Sequence, residues 1–371
     1  MEIIILQENL KKGLNIVSNI IGKNLTLPVL NNILLTVEKK RLKLISTDLE
    51  IAITHWISCK AKKEGEITIP AKLFNEFINN LPNKKIEIKS KNNNNLLQIK
   101  CENFKSNIKT ISSKEFPIIP KIKGKILFKV KALNFISGLS QIINFTSLSD
   151  IRPEISGIFI KIDGKQIKFT ATDSFRLGEK IISIKENKSN IKKSIILPLK
   201  TAQELIKIFS ESKKEEIIEI TIEQNQILFK NSETQIISRL IEGTYPNYEQ
   251  LISEQFETNL ILDREKLLNT IKVARLFSSR INDLRFNIIP KKSMVEIFAQ
   301  DIEIGENISQ INGEIKGKEI EIIFNHKYFL DGLSSIEANK VILGLNGENS
   351  PGILKPAGSK DFIYVIMPIK L

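Results

Sequence analysis

Three short strings share one pattern: Ser46-Thr47-Asp48-Leu49-Glu50, Ala171-Thr172-Asp173-Ser174-Phe175 and Ala299-Gln300-Asp301-Ile302-Glu303. In each string a predicted strand ends with a polar residue and an aspartate. The residue after the aspartate differs from one string to the next. Aspartate carboxylates commonly accept hydrogen bonds from backbone amides a few residues further on, so each string predicts a tight turn. The aspartates recur at intervals close to one third of the 371 residues. This spacing indicates three copies of one structural unit.

Two amphipathic helices are predicted in each third of the chain. The first follows a short strand at the start of the third, and the second follows a later strand. Their apolar residues recur at steps of three and four, which is typical of a helix with one buried face. The predicted apolar positions are Leu10, Leu14, Val17, Ile21; Leu73, Phe77, Leu81; Phe135, Leu139, Ile142, Ile143; Leu205, Ile208, Phe209; Leu267, Ile271, Ala274, Phe277; and Tyr328, Phe329, Leu333.

The remaining segments alternate apolar and polar residues, as in Leu42-Lys43-Leu44 and Ile86-Glu87-Ile88-Lys89. Alternation favours antiparallel sheets with one solvated face. We therefore predict an α+β chain of three repeated two-layer domains, with antiparallel sheets outside and two helices each inside. The predicted domains are 1–123, 124–253 and 254–371, with boundaries in polar stretches.

Composition narrows the class of protein. Hydrophobic residues make up 42% of the chain and charged residues 26%, as expected for globular domains. The sequence has no CxxC pair, no apolar run long enough for a membrane helix, and no basic, signal-like start. We expect a cytoplasmic protein without disulfides, metals or cofactors and without a membrane partner.

The formal net charge of +13 favours a polyanionic partner such as nucleic acid, although a lysine-rich composition alone also produces basic proteins. Basic residues lie on the predicted helices. Each alone is typical of a solvated helix face, but together they fit a sequence-independent phosphate-binding surface. They are Lys11, Lys12, Lys23, Lys72, Lys200, Lys207, Lys266, Lys272 and Arg275.

A catalytic role finds little support in the sequence. Only His55 and His326 are present, and His55 lies beside Trp56 on an alternating strand that indicates a structural role. The three aspartates lie in separate copies of the repeat, so turn roles fit them better than a shared metal. No phosphate-loop, zinc-protease or serine-hydrolase motif occurs. A basic scaffold that binds DNA without encircling it remains the other alternative.

The chain resembles the bacterial DNA polymerase III beta subunit family, the beta sliding clamps, along its whole length. The resemblance rests on five strings in the family's order. They are Thr26-Leu27-Pro28-Val29-Leu30, Ala171-Thr172-Asp173-Ser174-Phe175-Arg176-Leu177, Gly243-Thr244-Tyr245-Pro246-Asn247-Tyr248, Phe324-Asn325-His326-Lys327-Tyr328 and Tyr364-Val365-Ile366-Met367-Pro368-Ile369-Lys370-Leu371.

The resemblance implies a non-catalytic processivity factor. Two three-domain subunits would form a head-to-tail homodimer, a six-domain ring that slides on double-stranded DNA. The replicative DNA polymerase, the clamp loader and other proteins would dock a short clamp-binding peptide into a cleft between the second and third domains. By resemblance, the cleft residues are Ile155, Thr172, Ser174, Arg176, Leu177, Pro246, Leu251, Tyr328, Pro351, Val365, Met367, Pro368 and Ile369.

Two further sets of residues are carried over by resemblance. The DNA contacts would be Lys23, Asn24, Ser149, Arg152 and Lys200, and the dimer contacts would be Ile108, Leu276 and Phe277. Leu276 and Phe277 could equally belong to the core of the third domain. The chain also departs from the family's pattern: Ser174-Phe175 replaces a frequent Gly-His step, so Phe175 is expected to reshape the cleft, and Lys370 stands where arginine is common.

Overall fold

A computed structural model describes residues 1–22, 26–91, 96–149, 151–184 and 192–370. These residues form six α-helices connected by antiparallel strands. The helices are α1 Gln7–Ser18, α2 Ala71–Asn80, α3 Ala132–Ile142, α4 Leu199–Phe209, α5 Arg264–Ala274 and α6 His326–Ser334.

The strands over the same residues are β1 Glu2–Leu6, β2 Asn32–Glu38, β3 Arg41–Thr47, β4 Ile51–Ser58, β5 Lys60–Lys63, β6 Gly65–Pro70, β7 Lys85–Lys91, β8 Leu96–Cys101, β9 Phe104–Lys109, β10 Phe128–Lys131, β11 Gly157–Asp163, β12 Gln166–Thr172, β13 Arg176–Ser183, β14 Lys192–Pro198, β15 Ile217–Glu223, β16 Gln226–Lys230, β17 Thr234–Arg239, β18 Thr258–Asp263, β19 Asp283–Ile289, β20 Met294–Asp301, β21 Gly305–Asn312, β22 Glu314–Gly317, β23 Ile320–Asn325, β24 Lys340–Leu345, β25 Gly352–Pro356 and β26 Phe362–Ile366.

The first compact unit comprises residues 1–133 and 204–240. It contains a five-stranded sheet in the order β5-β1-β7-β8-β9 and an eight-stranded sheet in the order β10-β15-β16-β17-β4-β3-β2-β6. The eight-stranded sheet is continuous because β17 pairs with β4, with Thr234 opposite His55 and Ile237 opposite Ala52. Strands from the first and central repeats therefore share one sheet.

The second unit comprises residues 134–203 and 241–371. Its nine-stranded sheet has the order β14-β11-β12-β13-β26-β25-β24-β18-β22, and its four-stranded sheet has the order β21-β20-β19-β23. Here β13 of the central repeat pairs with β26 of the third, with Leu177 opposite Val365. The pairing of β13 with β26 thus matches the pairing of β4 with β17 in the first unit.

Each repeat therefore divides its strands between two half-sheets. The central repeat contributes β10, β15, β16 and β17 to one unit and β11 to β14 to the other. The predicted threefold α+β repeat is confirmed. The antiparallel order follows from the alternating sequence, because every second side chain enters the core.

The predicted helical faces are mostly buried. Leu10, Leu14 and Val17 of α1 and Leu267 and Ile271 of α5 are in the core. The predicted face of α2 is wrong at Leu73, which is 52% exposed, while Ala71, Phe74 and Ile78 face inward. Of the other two predicted positions, Phe77 is half-buried and Leu81 is buried. The predicted helical residues Ile21, Leu81, Ile143 and Phe277 lie beyond the ends of their α-helices.

Among the described residues, no helix is long and apolar enough to cross a membrane.

Candidate peptide-binding cleft

The turn between β12 and β13 is built by the second aspartate string. Asp173 Oδ1 accepts hydrogen bonds from the amides of Phe175 (3.0 Å) and Arg176 (3.1 Å). Thr172 Oγ1 accepts from the Ser174 amide (3.2 Å) and donates to the Arg176 carbonyl (2.7 Å). These bonds hold Ser174 in the left-handed region, at φ 79°. The turn therefore presents Ser174 and Phe175 to solvent and directs Arg176 inward.

Arg176 connects the central and third repeats within the second unit. Its guanidinium contacts Asp173 (Nε to Oδ2, 2.9 Å) and Asp331 of α6, and its Nη2 donates to the Asn144 carbonyl (2.9 Å). The side chain is only 11% exposed. Burial alone would lower the pKa of Arg176. The hydrogen bond to Asp331 outweighs burial, and Tyr364 and Asp173 act in the same direction, so the pKa lies above its ordinary value. The arginine therefore remains charged and fixed in position.

A packed apolar cluster lies beside this ionic group. It joins three of the predicted cleft residues, Ile155, Leu177 and Val365, with Ile353 and Tyr245. These side chains are buried, so they contribute to the core of the second unit as well as to any binding surface. Ligand sites in proteins are lined mainly by apolar and aromatic side chains of this kind.

The carboxyl-terminal segment is fixed beside the turn. The Met367 amide donates to the Phe175 carbonyl (2.9 Å), and the Ile369 amide donates to the Ile323 carbonyl (2.8 Å). Met367, Pro368 and Ile369 are partly buried. These two bonds hold the segment beside the turn, and the three predicted residues offer apolar surface.

Phe175 and Tyr328 form an aromatic pair. Their ring centroids are 6.3 Å apart at an interplanar angle of 23°, and the Arg176 guanidinium carbon lies 4.5 Å from the centre of the Tyr328 ring. The Tyr328 carbonyl accepts a hydrogen bond from the buried Tyr364 hydroxyl (2.7 Å). Phe175 therefore covers part of the surface around Tyr328.

Three further predicted cleft residues also lie outside the packed cluster. Pro246 follows Tyr245 and is half-buried, Leu251 ends a short 3-10 turn and is exposed, and Pro351 precedes β25 and is half-buried. The surface thus combines a buried floor with more exposed residues around it.

Two features of this site are not evident from the sequence. The first is the ion pair of Asp331 with Arg176, which are far apart in the chain. The only signal for Asp331 is its position one helical turn after Tyr328, a predicted cleft residue on the same helix. Tyr248 donates to the buried carboxylate of Glu179 (2.6 Å), and its oxygen lies 2.9 Å from the Thr170 hydroxyl. Burial and the bond to Glu179 raise the pKa of Tyr248. This network supports the floor of the cleft from beneath.

Comparisons with known proteins agree along the whole chain. Models of the N-terminal, central and C-terminal domains of the DNA polymerase III beta subunit match residues 1–120, 125–247 and 249–370. The chain belongs to the DNA polymerase III beta subunit family. Members of this family are non-catalytic processivity factors, so the chain serves DNA replication as a sliding clamp and is not an enzyme.

Relatives and solved structures are similar over their full lengths. The beta sliding clamp of Synechocystis sp. is 27% identical over 100% of both chains. That of Staphylococcus aureus strain Mu50 is 29% identical, covering 100% of this chain and 99% of the relative. The solved clamp of Bacillus subtilis has a TM-score of 0.95 at 25% identity, covering 100% and 99% of the two chains. The Pseudomonas aeruginosa beta subunit has a TM-score of 0.94 at 26% identity and full coverage of both chains.

The aspartates of this clamp have the turn roles expected from the sequence. Asp48 Oδ1 accepts from the Glu50 and Ile51 amides (3.0 and 2.8 Å), and Asp301 Oδ1 accepts from the Glu303 amide (2.8 Å). His55 is buried beside Thr234 in the eight-stranded sheet. Over the described part of the chain, no cluster of acidic, histidine and cysteine side chains could hold a metal ion.

Three of the five predicted DNA contacts are among the described residues. Lys23 and Asn24 lie outside the described residues. Ser149 and Lys200 are exposed, while Arg152 contacts Glu154 (Nε to Oε1, 3.1 Å) and donates to Ser174 Oγ (3.2 Å). Arg152 therefore also borders the turn of the cleft.

The three predicted dimer residues differ in exposure. Ile108 is buried in β9, whereas Leu276 is 63% exposed and Phe277 is half-buried in the 3-10 turn after α5. Leu276 therefore does not belong to the core of the third repeat.

Proposed function

We propose that this clamp acts in the cytoplasm as a head-to-tail homodimer, closed as a ring around double-stranded DNA, with domains 1–123, 124–253 and 254–371. The observation that carries the proposal is the matching of half-sheets. Within the chain, β17 joins β4 and β26 joins β13. In the threefold repeat, β9 has the same position in its repeat as β17 and β26, and β21 has the same position as β4 and β13.

Both remaining strands lie at sheet edges, β9 in the five-stranded and β21 in the four-stranded sheet. Exposed edge strands tend to pair with another chain. Pairing β9 of one subunit with β21 of another would repeat the two junctions already present. Charge favours it, since β9 carries Lys105 and Lys109 and β21 carries Glu306. It would also cover exposed apolar side chains near β21, including Ile304 and Ile308.

Sedimentation equilibrium at low micromolar concentration tests the dimer. We expect twice the chain mass of 42.2 kDa for the unaltered protein. Leu276→Lys should shift the mass towards that of one chain, because it places a charge in the proposed contact. Leu73→Lys is the matched control, an exposed leucine on α2 of the first unit. A single-chain mass for the unaltered protein at every concentration would refute the ring.

We propose that the cleft of the second unit binds a linear peptide of the replicative DNA polymerase, the clamp loader and other clamp-binding proteins. Its apolar floor would receive one leucine or phenylalanine, contributing roughly 1.5–3 kcal/mol. Main-chain hydrogen bonds would set the register, as in other peptide-binding grooves. The supporting geometry is the buried cluster of Ile155, Leu177 and Val365 beside the fixed segment Met367–Ile369.

Truncation after Ile366 tests the cleft assignment. It removes the apolar side chains of Met367, Pro368 and Ile369 together with two backbone hydrogen bonds. Binding of a labelled clamp-binding peptide should fall at least tenfold, while retention on circular DNA should persist. The truncated protein's melting curve must match that of the intact chain for the comparison to hold. Unchanged peptide affinity would defeat the assignment.

We propose that DNA contacts involve Lys23, Asn24, Ser149, Arg152 and Lys200 and are independent of base sequence. Salt-sensitive phosphate contacts suffice when a closed ring provides retention. The test compares loaded clamp on circular DNA with clamp on linear DNA after a salt wash. Retention on the circle and loss from the linear molecule supports encirclement. Equal retention on both would instead favour a scaffold that binds DNA from outside.

A further inference from the structure

The first unit contains a second copy of the frame that carries the cleft. Thr47 Oγ1 accepts from the Leu49 amide (3.0 Å) and donates to the Ile51 carbonyl (2.9 Å), as Thr172 does in the second unit. Leu49 has φ 80°, where Ser174 has φ 79°. The central repeat closes this frame through the Arg239 amide, which donates to the Glu50 carbonyl (3.0 Å), as Met367 does to Phe175 (2.9 Å).

A groove of about 270 Å³ lies against this turn, entirely within the first unit. It is lined by Leu49, Ile51, Ile118, Ile119, Ile237 and Arg239, among others. We name it the first-unit groove. Leu49 is 49% exposed and Ile118 is 95% exposed. A leucine in the left-handed region is strained, so the turn holds an apolar side chain outward at a cost that glycine would avoid.

The charges around the groove favour an acidic ligand. Arg239 and Glu50 form an exposed ion pair at its edge (Nη1 to Oε1, 3.4 Å), which leaves little net charge there. The segment that leaves the groove carries Lys121, Lys123 and Lys125, all exposed. Glu223 lies beside this segment and accepts from the backbone amides of Lys123 (2.9 Å) and Gly124 (3.2 Å).

We propose that the first-unit groove is a second docking site, for an acidic linear peptide of a partner protein with one leucine or phenylalanine anchor. The anchor would pack between Leu49 and Ile118, and the peptide's carboxylates would lie along the three lysines. The analogy rests on the proposed peptide cleft of the second unit. The new site would let one chain hold two partner segments at once.

The test uses a fluorescein-labelled synthetic peptide with three aspartates followed by leucine and phenylalanine, titrated into the full-length protein. A second sample carries a photo-crosslinking benzoyl group on the phenylalanine, and mass spectrometry locates the attachment. We expect crosslinks near Leu49 or Ile118, in addition to any in the second unit. Ile118→Asp should weaken binding at the groove at least tenfold, while Leu73→Asp, the control, should leave it unchanged.

The Leu49→Gly variant distinguishes a loss of peptide affinity from a loss of folding. Glycine relieves the left-handed strain, so the variant should melt no lower than the unaltered chain and still lose at least fivefold in groove affinity. Truncation after Ile366 should remove only the crosslinks of the second unit, which distinguishes failure of the cleft from failure of the groove. Crosslinks confined to the second unit would overturn the proposal. A lower assembly mass for Ile118→Asp with unchanged peptide binding would also overturn it, because a second copy would then be the occupant.

Discussion

His55 should make the stability of the first unit depend on pH. The residue is 7% exposed on β4, and its Nδ1 lies 2.9 Å from the Thr234 hydroxyl on β17. Burial lowers the pKa of His55 from 6.5 to about 4, and the positive charge of Arg41 contributes in the same direction. The folded state therefore keeps a neutral imidazole at a pH where the unfolded chain already binds a proton.

The direction and size of this pH dependence follow from the different proton binding of the folded and unfolded states. As pH falls below 6.5, the unfolded state gains protons that the folded state does not, so the free energy of unfolding decreases. The loss is largest below pH 4 and amounts to roughly 3 kcal/mol for the full shift, or about 2 kcal/mol at pH 5. Above pH 7 the histidine should make no pH-dependent contribution.

Urea unfolding followed by fluorescence tests this prediction. Trp56 is the only tryptophan and neighbours His55 on β4, so its emission reports on the unit concerned. Carboxylates also titrate in acid, and His55→Gln serves as the comparison because glutamine is polar and does not titrate. The difference in unfolding free energy between the two proteins should shrink by about 2 kcal/mol from pH 7 to pH 5. A difference that is constant over this range would show that His55 does not titrate differently in the folded and unfolded states.

Three further predictions concern single side chains. Phe175→Ala should uncover Tyr328 and strengthen binding of peptides with a bulky aromatic anchor at least threefold relative to peptides with leucine, measured by fluorescence anisotropy. Leu49→Gly should raise the free energy of unfolding of the first unit by about 1 kcal/mol by removing left-handed strain, measured by urea titration with Trp56 as probe. Gly178→Ala should lower that of the second unit by about 1–3 kcal/mol, because the added methyl group would lie 2.3 Å from the Phe145 ring; calorimetry would detect the change.

Much of the fold could be predicted because its signals are local. The aspartate turns need only a carboxylate and the amides that follow it, and the strand alternation needs only one buried face. The face of α2 could not be settled in this way. Its apolar residues fit two stripes, one through Leu73 and Phe77 and another through Ala71, Phe74 and Ile78. Packing against the sheet selects the second stripe.

The candidate site was less accessible to sequence reasoning. Its residues were placed by family resemblance, since each apolar member is also an ordinary core residue. The ion pair between Arg176 and Asp331 joins positions from different repeats, and no spacing rule connects them. The stacking of Phe175 on Tyr328 likewise depends on how β13 and α6 meet in three dimensions.

The repeated turn separates what specifies the fold from what specifies the partner. Its aspartate is fixed by backbone amides in all three copies, so its replacement should cost stability wherever it occurs. The next position holds Leu49, Ser174 or Ile302, and its side chain faces solvent in each case. Because that side chain contributes little to the turn's hydrogen bonds, it can change without unfolding the repeat. Substitutions there should therefore alter binding without unfolding the repeat, so one frame can present different surfaces in the two units.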